Sequence, residues 1–215
     1  MWCYWSTKGG VGCSVVAATV ALRLAESGPT LLVDLGGDQA TILGHDQPPT
    51  TLTQWLAAPN PPPDSLARIE TTISPNLQLL AWDEQAFNPI AAESPETLVR
   101  VLAHLLANDE RHVVVDVGHR RSDGGSISGA SVDPGEAILG RASRSVLVTR
   151  ACYLALRHVN RWPRPDLVAL VVEPGRALRA VDIEGAVGAP VTPLRWDPSV
   201  ARAVDAGLAH RRLPR

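Results

Sequence analysis

Glycines, a lysine and a serine lie close together near the N-terminus, in the segment TKGGVGCS at residues 7–14. A loop of this composition can bind phosphate, because glycine lets successive backbone N–H groups point at one anion and the following helix presents its positive end. A hydroxyl such as that of Ser14 can also ligate Mg²⁺. Lys8 is the only lysine among 20 lysines and arginines, which indicates that this position needs lysine specifically.

The sequence around this loop supplies the elements that must position it. We expect a strand over Trp2–Ser6 and a helix over residues 14–27, ended by Gly28-Pro29. Short apolar runs predict buried parallel strands, and the first two carry an aspartate near their ends: residues 30–35, 112–117, 145–149 and 167–172. Helices are expected at 99–107, 153–159 and 200–208. The alternation predicts an α/β fold, a doubly wound, mostly parallel sheet flanked by helices.

Composition limits the class of protein. The 215 residues, 45% hydrophobic and 20% charged, are typical of a single domain over 1–215 with a sizeable core. A net charge of −2 argues against DNA as a partner. The spacing of the cysteines and histidines favours neither a disulfide framework nor a zinc site. Without a signal peptide, an apolar span or an apolar face on the basic tail, we expect a cytoplasmic protein whose membrane binding is at most peripheral. Mobile segments are expected near 57–66 and 119–135.

The loop departs from the ordinary Walker A pattern, G-x-x-x-x-G-K-[ST]. Gly12 and Ser14 are in register, but Cys13 stands at the lysine position. The segment KGGVGCS resembles the loop of the ParA/MinD family of deviant Walker A ATPases, K-G-G-x-G-K-[ST], at six of seven positions. Residues 30–34 and 113–116 are similar to that family's Walker A′ and Walker B strands, and 189–207 to its final strand, loop and helix. The resemblance implies a P-loop NTPase fold that binds ATP and Mg²⁺.

The resemblance also implies roles for individual residues. The nucleotide would contact the loop residues Lys8, Gly9, Gly10, Val11, Gly12, Cys13 and Ser14. Mg²⁺ would be held by Ser14, Asp34 and Asp116. Catalysis would depend on Asp34, Asp38 and Lys8, the last of which reaches the partner's nucleotide across a homodimer.

Two departures from the family pattern weaken the expected ATPase activity. Cys13 carries no charge to neutralise phosphate oxygens. Gly36 replaces the second aspartate of the family's D-x-D, and Asp38 can substitute only if the loop folds back, because two residues span about 6 to 7 Å of extended chain. Each lost transition-state contact lowers the rate roughly a hundred- to a thousandfold. Hydrolysis is therefore expected to be very slow or lost.

Within the family, the segments WSTKGGVGC, LLVDLGGD and VLVTRACYLALR look most like the CpaE/TadZ group, which organises Tad (Flp) pilus assembly. This resemblance implies a dimeric nucleotide-binding switch that positions a Tad pilus/secretion or partition complex, with recruitment to the membrane or cell pole by a protein partner. The alternative is a non-hydrolysing pseudo-ATPase scaffold with weak or no nucleotide binding. Lys8 favours the first interpretation, whereas Cys13 and Gly36 favour the second.

Other side chains allow less specific predictions. A thiol at a helix N-terminus, such as that of Cys13, is expected to have a lowered pKa, which would suit a redox role; the alternative is a small, tolerated side chain. Several arginines flank the second mobile segment and are expected to form a solvated charged face, the alternative being contact with an anion or a partner: Arg120, Arg121, Arg141 and Arg144. The six tryptophans are expected to be core or interface anchors.

Overall fold

An eight-stranded sheet organises the computed structural model of the chain, which describes residues 1–83, 95–120 and 133–212. Its strands are β1 (Trp2–Ser6), β2 (Thr30–Asp34), β3 (Thr71–Ser74), β4 (Leu77–Leu80), β5 (His112–His119), β6 (Arg144–Arg150), β7 (Leu167–Val172) and β8 (Val191–Arg195). The order is β3-β4-β2-β5-β1-β6-β7-β8, and only the β3–β4 pair is antiparallel. The predicted mostly parallel α/β sheet is confirmed.

Helices connect the strands and cover both faces of the sheet. In the described ranges they are α1 (Cys13–Ala25), α2 (Gln39–Ile42), α3 (Leu52–Ala57), α4 (Pro95–Ala107), α5 (Pro134–Leu139), α6 (Tyr153–Leu156), α7 (Ala180–Val187), α8 (Pro198–Asp205) and α9 (Ala209–Arg212). Two 3₁₀ helices span Pro63–Ile69 and Val159–Arg161. Within these ranges no helix is both long and apolar enough to cross a bilayer.

Alternation along the strands creates two hydrophobic layers. On one face, Tyr4, Leu32 and Val114 pack against α1. On the other, side chains such as those of Trp5 and Val115 pack against α3, α4, α5 and α7. Because successive side chains of a strand point to opposite faces, the continuous apolar runs of the sequence fill both layers.

Helix α1 lies close to the sheet because its buried face is made of small residues: Cys13, Ala17, Ala18, Ala21 and Ala25. This close packing places the first turn of α1 beside the end of β5, with which the helix makes extensive contact. The sheet therefore fixes the position of the glycine-rich loop that precedes α1.

The structure differs from the sequence prediction at several elements. The helix expected at 153–159 ends at Leu156 and gives way to a 3₁₀ turn, and the last predicted helix begins two residues earlier, at Pro198. The β3–β4 pair was not predicted, because TTIS is half-exposed and LQLL is only four residues long. Residues 121–132, most of the second expected mobile segment, lie outside the described residues.

Candidate functional site

The glycine-rich loop lies where the carboxyl ends of the central strands meet. Strand β1 runs between β5 and β6, so that the chain leaves it toward one side of the sheet and later returns on the other. Such a switch point opens a crevice at the carboxyl ends of parallel strands, where ligands bind. A cavity of about 460 Å³ occupies this position, bordered by the loop, the start of α1, Gly36, Asp38 and Gly118.

Two glycines give the loop its shape. Gly10 has φ of 74° and Gly12 has φ of 97°, in the left-handed region that side chains disfavour. Gly12 is also the N-cap of α1, and its side-chain-free position leaves the N-terminal N–H groups of that helix without a side-chain cap. The Thr7 hydroxyl anchors the other end of the loop by donating to the Ala155 carbonyl. Open backbone donors at the N-terminus of a 13-residue helix are suited to an anion.

Two buried aspartates lie side by side beneath the loop. Asp34 ends β2 and pairs in register with Asp116 of the neighbouring parallel strand β5. Asp34 is 1% exposed, and its carboxylate accepts hydrogen bonds from the backbone N–H groups of Gly36, Gly37 and Gln39 at 2.9, 2.7 and 3.0 Å. The strand register therefore brings together two carboxylates that are 82 positions apart in the sequence.

Burial raises the proton affinity of both carboxylates. Burial, followed by the charge of Asp116, raises the pKa of Asp34 to about 7, and the three backbone donors oppose this rise only in part. Burial likewise raises the pKa of Asp116. Neither carboxylate forms an ion pair with any side chain that the structure describes. Two buried carboxylates without a counter-ion destabilise the folded protein unless they bind a cation or a proton.

Cys13 occupies the lysine position of the Walker A pattern, but its thiol interacts with Asp116. The Sγ atom lies 3.6 Å from Asp116 Oδ1, which also accepts the Gly118 N–H at 3.0 Å. Burial, reinforced by the Asp116 charge, raises the pKa of Cys13 well above its ordinary value. The lowered pKa expected at a helix N-terminus is wrong, because desolvation and the adjacent carboxylate outweigh the helix end. The thiol is a buried hydrogen-bond donor, and its raised pKa argues against a reactive thiolate.

Gln39, which the sequence did not single out, connects the predicted site residues. Its Nε2 donates to Asp116 Oδ2 at 2.7 Å and to the Ser14 carbonyl at 2.9 Å. Its side chain is fully buried, and Oε1 has no partner in the described part of the chain. No spacing pattern marks this residue; the only sequence signal is its position at the start of a helix shortly after the strand-ending Asp34.

Of the remaining positions of interest, Gly36 and Asp38 border the cavity, whereas Lys8 lies in the loop outside the cavity lining. Lys8 is exposed, with Nζ 4.0 Å from Cys152 Sγ, and it is not held by any carboxylate among the described residues. A Cβ atom placed on Gly36 lies 3.3 Å from Asp116 Oδ2, so an acidic side chain here would join the carboxylate pair. Asp38 is exposed and borders the cavity, two positions after Gly36, where the family pattern has its second aspartate.

A second, more apolar pocket of about 530 Å³ adjoins the cavity and shares Val11, Gly12, Val15 and Val204 with it. It lies between α1, the ends of β7 and β8, and α8. Trp196, which is 44% exposed, contributes an aromatic ring to its wall. Aromatic and aliphatic surfaces of this kind can stack against a planar ring.

Arg120 is not part of a solvated charged face. It is 5% exposed, its Nη1 lies 2.8 Å from Asp133 Oδ2, and its guanidinium carbon lies 4.5 Å from the centre of the Trp162 ring. The expectation of a solvated side chain is wrong at this position, because Asp133 and Trp162, both distant in the sequence, enclose the charge. Arg121 lies outside the described residues.

The residues present fit Mg²⁺ held together with phosphate. The described residues include no cluster of three or more His, Cys, Asp or Glu side chains that could hold a metal alone. Mg²⁺, however, usually binds through one or two carboxylates together with substrate phosphates and water. The Ser14 hydroxyl and the carboxylates of Asp34 and Asp116 supply oxygen donors of this type. The unpartnered Gln39 Oε1 is a buried acceptor that an ordered water would satisfy.

Comparisons with known proteins agree with the architecture. No family model matches the chain, and no curated protein matches it. A ParA family ATPase from Chlorobium tepidum is 21% identical with a TM-score of 0.74, over 97% of this chain and 89% of that one. The septum site-determining protein MinD from Pyrococcus horikoshii, solved with Mg-ADP, is 20% identical with a TM-score of 0.69, over 97% and 86%. The MinC:MinD complex of Aquifex aeolicus is 16% identical with a TM-score of 0.69, over 96% of this chain and 85% of that one. The chain therefore has the P-loop NTPase fold of the ParA/MinD proteins.

Proposed function

We propose that this protein is a ParA/MinD-like nucleotide-binding switch that holds ATP and Mg²⁺ on the loop at residues 7–14. The observation that carries the proposal is the cavity of about 460 Å³ at the uncapped N-terminus of α1. Gly36 and Gly118 border this cavity, and their backbone N–H groups donate to the buried carboxylates of Asp34 and Asp116. The loop and helix N–H groups would bind phosphate oxygens, and Ser14 with the two aspartates would hold the metal. Bound Mg²⁺ supplies positive charge to the phosphates. The Mg-ADP of the Pyrococcus horikoshii MinD structure supports the same ligand for this fold.

The adjoining pocket gives this proposal a place for the base. It begins at Val11 and Gly12, where the phosphate cavity ends, and extends to Trp196. Its volume of about 530 Å³ falls in the usual range of small-molecule sites. A nucleotide would then bind with its phosphates on the loop and its base against the apolar wall.

Weak or lost hydrolysis is the second part of the proposal. Cys13 directs its thiol to Asp116, so no ammonium group from this position neutralises the phosphates. Position 36 lies against both carboxylates but carries no side chain. Asp38 borders the cavity and is the remaining candidate for positioning an attacking water. The chemistry-bearing positions are therefore occupied by residues suited to binding more than to turnover.

A non-hydrolysing scaffold is the second candidate function. The contact between Cys13 and Asp116 favours it, because it partly satisfies the carboxylate without any ligand. In this version the fold and its surfaces would be retained while nucleotide binding is weak or lost. Lys8 separates the two candidates: an exposed lysine with no acidic partner among the described residues is suited to a phosphate delivered by a second copy of the chain.

We further propose that the switch is a homodimer that positions a protein complex of the Tad pilus/secretion or partition type. The dimer would act in the cytoplasm, or at a membrane or cell pole to which a protein partner recruits the dimer. The MinC:MinD complex shows that a protein of this fold binds a protein partner. The net charge of −2 supports a protein partner over DNA.

Calorimetric titration with ATP, with and without Mg²⁺, tests the proposal directly. We expect saturable binding of one nucleotide per chain that is tighter with Mg²⁺, together with a turnover at least a hundredfold below that of an ATPase with an intact lysine and D-x-D. Binding without turnover supports the switch with lost hydrolysis. Absence of any binding heat at millimolar ATP would favour the non-hydrolysing scaffold instead.

A further inference from the structure

Gln39 makes contacts with each of the three segments that build the proposed metal site. Its side-chain amide reaches Asp116 at the end of β5 and the Ser14 carbonyl in the first turn of α1, at 2.7 and 2.9 Å. Its backbone N–H donates to Asp34 Oδ2, at the end of β2, at 3.0 Å. One buried residue therefore joins the loop helix to both strand-ending carboxylates.

These contacts fix the orientation of the Gln39 amide. Both partners of Nε2, a carboxylate oxygen and a carbonyl oxygen, are acceptors, so a rotated amide would place Oε1 against two other oxygens. The Asp116 carboxylate is fixed in turn, because Oδ2 accepts from Gln39 while Oδ1 accepts from Gly118 N–H and the Cys13 thiol. Rotation of either group would break more than one hydrogen bond in a fully buried place.

The amide is also the appropriate chemistry for holding a carboxylate that must bind a cation. A lysine or arginine in this position would pair with Asp116 and cancel the charge that attracts Mg²⁺. A glutamate would add a third negative charge to the Asp34–Asp116 pair. A neutral donor orients the carboxylate while leaving its charge available.

We propose that Gln39 is the positioning residue for the metal site, acting through Asp116 and the Ser14 turn and not as a ligand. This inference rests on the proposed function, because it assigns to Gln39 the coupling between Mg²⁺ and nucleotide affinity. It goes beyond the residues that the loop pattern identifies, since Gln39 lies outside that pattern and contacts the site from α2.

The test compares Gln39→Met with Gln47→Met. Methionine is close to glutamine in size and removes the amide. Gln47 offers a surface control, because it is exposed and its Nε2 donates a 2.7 Å hydrogen bond to the Trp82 carbonyl, outside both pockets. For the wild type and each variant, the ATP dissociation constant is measured by calorimetry in EDTA and in Mg²⁺. The quantity of interest is the ratio of the two constants, which is the gain in affinity due to Mg²⁺.

We expect this gain to fall about 10- to 100-fold in Gln39→Met, with the affinity in EDTA changed less than threefold, and to stay within twofold of wild type in Gln47→Met. A purely structural role would weaken both affinities together and leave the ratio unchanged. The calorimetric stoichiometry reports the folded fraction. If Gln39→Met does not fold, Gln39→Ala, which leaves room for water, is measured in the same way.

The failures of the two proposals differ. A wild-type protein that binds Mg-ATP, with a Gln39 variant that keeps the wild-type ratio, overturns the role of Gln39 alone. A wild type whose ATP affinity is indifferent to Mg²⁺ overturns it as well. A wild type that binds no nucleotide overturns the proposed function, and the role of Gln39 with it.

Discussion

Replacing Asp34 by asparagine should remove the share of the pH dependence of stability that Asp34 contributes in the ligand-free protein, while the raised pKa of Asp116 continues to contribute. Burial and the neighbouring Asp116 raise the pKa of Asp34 to about 7 in the folded state, against an ordinary value of 3.8. Because the folded state binds the proton more tightly than the unfolded state, the stabilising contribution is fully present below about pH 4. It is lost as the pH rises through about 7.

The size of the effect follows from the same pKa values. Between pH 5 and pH 8 the free energy of unfolding of the wild type should fall by about 2 to 3 kcal/mol through this group. In Asp34→Asn, the side-chain oxygen can still accept from Gly36 and Gly37, but the amide nitrogen cannot accept from Gln39 N–H, at a cost of about 1 to 2 kcal/mol. The variant should therefore be less stable than wild type at pH 5 and equally or more stable at pH 8.

Urea denaturation followed by tryptophan fluorescence at pH 5 and pH 8 measures this difference. Asp38→Asn is the matched control, because Asp38 is exposed and should shift the unfolding free energy by less than about 0.5 kcal/mol at either pH. Burial lowers the pKa of His210, which contributes in the opposite direction but equally in all three proteins. The reasoning is refuted if Asp34→Asn keeps the wild-type difference between the two pH values.

Substitutions at two other positions have defined outcomes. Lys8→Ala and Lys8→Arg should both weaken ATP-dependent dimerisation in sedimentation velocity, because a wider guanidinium does not replace a compact ammonium. The melting temperature of the ligand-free protein should stay unchanged, because Lys8 is exposed. Unchanged association in both variants would remove the proposed role of Lys8. Arg120→Ala should lower the free energy of unfolding by about 3 to 5 kcal/mol, since it leaves Asp133 without its 2.8 Å partner and Trp162 without the stacked guanidinium. A loss below about 1 kcal/mol in urea denaturation would show that this enclosed ion pair is not needed.

The elements that the sequence predicted correctly are those with a strong local signal. Strands β1, β2 and β5 were recognisable because they are buried on both faces and so read as continuous apolar runs. The glycine loop was recognisable because its conformation needs residues without a side chain at positions 10 and 12. Strand β3 was not recognisable from the sequence, because its residues are partly exposed and its pairing with β4 depends on a turn between two four-residue strands.

The parts of the site that escaped prediction depend on contacts between distant segments. The register that places Asp34 opposite Asp116 is set by how β2 and β5 pair, so the family resemblance placed both carboxylates in one site but neither strand alone shows that they meet. Burial of the Cys13 thiol, reinforced by the charge of the same Asp116 carboxylate, raises its pKa where the helix end alone predicts a lowered one. Gln39 is one glutamine among several, and only the folded chain shows that it reaches Ser14 and Asp116.

The most direct test of nucleotide binding on the loop is a pair of matched glycine substitutions, Gly10→Ala and Gly175→Ala. Both glycines have positive φ, 74° and 77°, and a Cβ on either would meet no atom within 4 Å, so both variants should lose a similar amount of stability, about 1 to 2 kcal/mol. Of the two, only Gly10 borders the cavity at the loop. Mg-ATP titration should show affinity weakened at least tenfold in Gly10→Ala and unchanged in Gly175→Ala. Equal affinities in the two variants, or no binding in the wild type, would contradict a nucleotide site on this loop.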